Sequence, residues 1–162
     1  MAGILFTNGS LVLSGYSEHK SKLTGIGGKS INNELPYETA MRETIEELFE
    51  FDIIPSELLT ELNSNIIFSN LIATKNYSMF ILSFNDLKVI LKIINKYKDT
   101  LTSKVYEVIP SNIEELLFLR KADNRSEIKH LCLLPMEISN TQSLDIDTFF
   151  LKDIIRYLKT LE

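Results

Sequence analysis

Glu43, Glu46 and Glu47 stand three and four residues apart, directly behind Arg42. On a helix those spacings place carboxylates on one stripe, and like charges so arranged repel unless a cation neutralises them. A hard divalent ion suits such a cluster. Mg²⁺ takes oxygen ligands in near-octahedral geometry and keeps several waters, so Glu46 and Glu47 with one more acid and a backbone carbonyl suit it better than Zn²⁺. The chemistry served would be cleavage of a linked phosphate, where the ion neutralises oxygens and lowers the pKa of an attacking water. Taken alone, the charge run is better described as a solvated acidic helix face. Upstream, however, Gly25, Gly27 and Gly28 gather half of the chain's six glycines into four positions, which calls for a bend or a close ligand approach.

These residues need a helix and a loop to hold them. Pro36 fixes a helical angle at a first turn, and Ala40, Met41, Thr44, Ile45 and Leu48 recur at helical spacing, so the pattern predicts a helix from Pro36 to Phe49 with the acids on a neighbouring stripe. Before it, Ile4–Phe6 and Leu11–Leu13 flank Asn8-Gly9 and read as a hairpin. Farther on, 65–71, 77–84, 104–109 and 128–134 read as strands, 113–120 as a short helix, and Asp86 and Asp147 as caps of helices reaching about Lys98 and Leu161. The mixture is α+β or α/β without an internal repeat.

A chain of 162 residues that is 44% hydrophobic makes one domain rather than two. Its net charge of −5 is an unfavourable global field for a polyanion, so any nucleic-acid contact must use a local basic patch. Lys88, Lys92 and Lys96, opposite Leu87, Ile90, Leu91 and Ile94, form such a stripe, which also describes the wet face of an amphipathic helix. A single cysteine, Cys132, cannot close an internal disulfide and reads as a small core residue in a reducing compartment. With no leader-like N-terminus and no run of about eighteen apolar residues, a cytoplasmic protein with no membrane partner is expected. His19 and His130 offer no metal-ligand spacing and are not assigned a role.

From Gly28 the chain reads Gly, five residues, Glu34, seven residues, then Arg42-Glu43-Thr44-Ile45-Glu46-Glu47. This resembles the Nudix box, G-x5-E-x7-R-E-U-x-E-E-x-G-U with U a bulky apolar residue, at six fixed positions up to Glu47. The preceding hairpin and Gly27-Gly28-Lys29 are similar to the family's approach to that motif. Phe49 departs from it in place of the closing glycine, Glu50 in place of the apolar residue, and Ile26 where proline often precedes the glycines. Loss of the glycine removes the easiest left-handed helix cap, which leaves a longer helix or a strained turn near Phe51-Asp52.

The resemblance implies a Nudix α/β/α sandwich with a mixed β-sheet over residues 1–162, and a pyrophosphohydrolase using Mg²⁺ or Mn²⁺ on a nucleoside diphosphate linked to another group X. It implies Glu43, Glu46, Glu47 and the Gly27 carbonyl as metal ligands, with Glu43 alternatively a base that orients water. It implies Arg42 and Glu34 as ion-pair supports, and Gly28 and Lys29 as part of the loop. Family members often add an acid from outside the helix, for which Glu127, before a late strand, is the candidate, with Glu107, Glu114, Glu115 and Asp123 competing. A small nucleotide or dinucleotide is the expected substrate. The alternatives are a capped RNA end, as for the mRNA-decapping Nudix enzymes of large DNA viruses, and a non-catalytic nucleotide-binding module. Base preference, the bond cleaved and the oligomeric state are set by pocket shape and distant surfaces.

Overall fold

In the computed structural model, which describes residues 1–137 and 144–162, the first strand divides the molecule. Strand β1 (Ala2–Thr7) sends Ala2, Ile4 and Phe6 into one buried cluster and Leu5 into a second, the two-residue alternation of a strand buried on both faces. The other strands are β2 (Leu11–Ser17), β3 (Lys22–Thr24), β4 (Ile26–Gly28), β5 (Leu71–Ala73), β6 (Ser78–Ser83) and β7 (His130–Pro135). They form one sheet in the order β3-β2-β1-β6-β5, with β4 also on β1 and β7 also on β2. Among the described strands β1 and β6 run parallel and the other pairs antiparallel, and Leu23 of β3 adds an isolated parallel bridge to Ile146.

Helices α1 (Pro36–Phe49), α2 (Ser56–Asn65), α3 (Phe84–Lys96) and α4 (Ile113–Phe118) bury Ile45, Leu58, Leu62, Leu87, Ile90 and Leu116 in the first cluster. Helix α5 (Thr148–Thr160) brings Phe150 and Ile154 to the second, against Leu5, Val12, Met79 and Leu134. The result is the expected α/β/α sandwich about a mixed sheet. Among the described residues no helix is long and apolar enough to cross a membrane.

The sheet opens where the glycines lie. Strands β1 and β2 pair at Thr7 and Val12 and then part; β3 continues along the far end of β2, and β4 along the start of β1. The sequence pattern marked this stretch as a bend or a close ligand approach and not as strand, because two three-residue strands are too short to show a period. The segment is a strand that changes partner at Gly25.

Several boundaries differ from expectation. Residues 65–71 are not a strand: Leu58 and Leu62, four apart, anchor the unforeseen α2, and β5 begins only at Leu71. Residues 104–109 form no strand either, since the Ser103 hydroxyl accepts the N–H groups of Val105 and Tyr106 and leaves a single bridge between Phe51 and Ser103. Helix α3 is capped by Ser83, whose hydroxyl accepts the Asp86 N–H at 3.0 Å, while Asp86 returns the bond to the Ser83 N–H at 2.8 Å. Asp86 therefore sits at the third helical position of a capping box. Asp147 does cap α5, accepting from Phe149 and Phe150. Cys132 is half-buried on β7 opposite Ser14 rather than within the core, and burial pushes its thiol pKa up.

Candidate functional site

The N-terminal half of α1 is organised by Arg42, a buried residue with 9% of its surface exposed. Its guanidinium grips Glu34 with two bonds, Nε to Oε1 at 2.7 Å and Nη2 to Oε2 at 3.1 Å. It also donates to Glu43 at 2.9 Å, to Glu46 at 3.0 Å and to the Lys29 carbonyl at 2.8 Å. This two-pronged grip holds the Glu34 carboxyl down at about 2, with help from the Ile31 N–H and the Thr39 hydroxyl. The same acids raise the Arg42 pKa. Lys29 thus supports the loop through its carbonyl, while the residue itself is exposed.

Glu47 faces another way. Its Oε2 accepts the Gly27 N–H at 3.0 Å, which ties the helix to β4. Burial pushes its carboxyl up to about 8; the Gly27 N–H works against that shift, and Glu127, Glu43 and Glu46 add to it by charge repulsion. Glu127, exposed and just ahead of β7, lies with Glu47 and Gly27 on the wall of a cavity of about 450 Å³.

The two glycines of β4 have different reasons to be glycine. A side chain on Gly27, at φ +154, would come within 2.6 Å of the Gly3 Cα and 2.7 Å of the Ala2 carbonyl oxygen. Those are backbone atoms of β1 and cannot swing aside. On Gly28 a Cβ would fall onto the Glu43 carboxylate, the end of a flexible side chain that Arg42 holds by one bond. Gly27→Ala is therefore expected to cost about 1–3 kcal/mol through overpacking, read as a lower urea midpoint. Gly28→Ala should leave that midpoint nearer to wild type while displacing Glu43.

Among the described residues no three Asp, Glu, His or Cys side chains stand ready to hold one metal ion. Arg42 draws Glu43 and Glu46 to itself, and Glu47 is turned to Gly27. The donor set nevertheless fits a hard divalent cation: every candidate donor is oxygen, Gly28 lets the Glu43 carboxylate lie against the β4 backbone, and the repulsion from Glu127, Glu43 and Glu46 that adds to the burial of Glu47 is what a bound cation would relieve.

The part that α5 plays in the cavity wall was not foreseen. Helix α5 contributes Phe149, Lys152, Asp153 and Arg156, and Lys20 and Tyr77 join them. Phe149 is 76% exposed, with the Lys152 ammonium 5.8 Å from its ring centre. Asp153 is buried, and burial pushes its carboxyl up to about 6, with Arg156 at 3.4 Å opposing the shift. Burial and the Asp153 charge raise the Tyr77 hydroxyl. The available signal was Lys152 and Arg156, four residues apart beside Phe149, though nothing in the pattern of α5 says that this face meets β4.

The other candidates lie elsewhere. Glu107 lines a separate cavity with Lys98, Ser103 and Tyr106. Asn112 caps α4 by accepting the Glu115 N–H while the Glu115 carboxylate accepts the Ser111 N–H, and Asp123 closes a local turn with Arg125. Lys88, Lys92 and Lys96 are exposed on α3 as the periodicity predicts, and Lys96 is paired with Glu61 at 2.6 Å.

No family model matches the chain, and no curated protein matches it. Among solved structures, a NUDIX-family hydrolase from Clostridium perfringens is similar over 99% of this chain and 96% of its own, with 19% identity and a TM-score of 0.46.

Proposed function

We propose that the chain is a metal-dependent hydrolase of the Nudix type, splitting a nucleoside diphosphate linked to a further group by attack of water at phosphorus. One observation carries the reading: Glu47 of the motif and Gly27 just before it share a cavity with Glu127, Lys20, Lys152 and Arg156. Acids that suit a cation thus face the same space as cations that suit phosphate oxygens. A bound Mg²⁺ or Mn²⁺ would neutralise phosphate charge and acidify water. Glu47, Glu43, Glu46 and the Gly27 carbonyl would hold it.

The chain's own residues supply the rest. Arg42 and Glu34 set the direction of the α1 acids by their paired hydrogen bonds. Glu127, which lines the same cavity as Glu47, would take the proton of the attacking water. Lys20, Lys152 and Arg156 would orient the polyphosphate, and exposed Phe149 offers a ring for a base to stack on. A cavity of about 450 Å³ favours a small nucleotide.

The test is incubation with Mg²⁺ and a panel of nucleoside triphosphates, dinucleoside polyphosphates and capped RNA, with Glu46→Gln and Glu47→Gln as controls. Turnover of a small nucleotide by wild type and its loss in both variants is expected. Equal product release by all three proteins would refute the assigned acids. Bound nucleotide without turnover would point to a binding module, and cleavage of capped RNA alone would move the substrate assignment to a decapping enzyme.

A further inference from the structure

Helix α1 ends on a residue other than glycine. Glu50 takes the left-handed conformation at φ 45, and its N–H bonds the Glu46 carbonyl. The carbonyls of the last turn still need donors. The Ser103 hydroxyl donates to that of Phe49, and those of Glu47 and Leu48 find Arg120, whose side chain is only 2% exposed. Its Nη1 donates to the Leu48 carbonyl at 2.5 Å and its Nη2 to the Glu47 carbonyl at 3.1 Å. The same Nη2 donates to the Ile128 carbonyl at 2.9 Å. The Glu50 carboxylate is 3.5 Å away, and the Tyr106 ring packs against the guanidinium at 5.9 Å.

The partners of this one group are telling. Two carbonyls belong to the turn that carries Glu47, and the third belongs to the residue after Glu127. We infer that Arg120 is a positioning residue for the acid site: its guanidinium locks the end of α1 to the segment before β7, so that Glu47 and Glu127 are delivered to one cavity. This rests on the functional reading of those two acids given above. A cation at a helix C-terminus is favourable in itself. A planar fork with several donors can span three carbonyls, whereas an ammonium on a flexible stem cannot hold them in one geometry.

Arg120→Lys keeps the charge and tests the fork. Mn²⁺ affinity, read from the paramagnetic resonance signal of the free ion, and thermal melting in chelator should be measured for wild type, R120K and E47Q. R120K is expected to melt cooperatively and to bind Mn²⁺ about tenfold or more weakly than wild type, the usual scale for groups that orient metal ligands. A purely structural role would lower the melting temperature and leave the Mn²⁺ affinity of the folded protein unchanged. That result, or a loss of the cooperative melt in R120K, would overturn the assignment of Arg120 alone. If wild type bound Mn²⁺ no better than E47Q, the functional reading itself would fall, and this inference with it.

Discussion

Glu47→Gln is expected to lower kcat by two to three orders of magnitude, roughly the cost of removing one group that stabilises the reacting charge, while making the metal-free protein more stable at alkaline pH. The two effects share a cause. The Glu47 carboxyl is pushed up to about 8 in the folded chain by burial and neighbouring acids, and stands near 4.5 when unfolded. Below about 4.5 both states hold the proton and nothing is lost. As pH rises toward 8 and beyond, the unfolded chain ionises freely while the folded chain must ionise a half-buried group, so wild-type stability falls across that window by a few kcal/mol. Glutamine can still accept the Gly27 N–H and carries no charge to desolvate. Melting temperatures at pH 5 and pH 9 in chelator should thus diverge for wild type and converge for the variant, and Mg²⁺ should restore only wild type at pH 9. Parallel pH profiles for the two proteins would show that Glu47 does not carry the strain of the cluster.

Arg42→Met acts in the opposite direction of pH. Methionine keeps much of the aliphatic packing but leaves Glu34, Glu43 and Glu46 without their shared cation and the Lys29 carbonyl without its donor. The expected loss at pH 7 is about 3 kcal/mol, the scale for removing one partner of a buried ion pair. Glu34, held at about 2 by Arg42, contributes stability that is present above about 4.5 and is lost as pH falls toward 2. The deficit of the variant relative to wild type is therefore largest near neutrality and narrows in acid. Urea midpoints at pH 3 and pH 7 measure it, and equal midpoints at pH 7 would mean that the Arg42 network is dispensable for folding.

Local patterns were legible where a residue's effect is confined to its own neighbourhood. Pro36 and the Ala40–Leu48 stripe marked α1 because helical angles and apolar spacing act within a few residues, and its bounds are those expected. The Asn8-Gly9 hairpin was readable for the same reason, with Asn8 accepting the Ser10 and Leu11 N–H groups. Residues 104–109 misled because their apolar content resembles a strand, while one hydroxyl, that of Ser103, takes the backbone donors a strand would need. Helix termination at Glu50 likewise depends on Arg120, seventy residues on, which no local rule could supply.

The linear order of residues by itself marked the candidates, namely the glycine bend, Glu34, Arg42 and the three acids of α1, because helical spacing sets Arg42, Glu43, Glu46 and Glu47 on adjoining turns. Tertiary structure decided how they are shared. Arg42 takes Glu34, Glu43 and Glu46, Glu47 goes to the Gly27 N–H, and α5 and Glu127 close the cavity around it. The Arg42 pairs span only one to eight residues, whereas the contacts of Glu47 with Gly27, Glu127 and α5 join segments twenty to more than a hundred residues apart. Their geometry follows from the parting of β1 and β2 and from packing on both faces of the sheet, which a pattern of nearby residues does not encode.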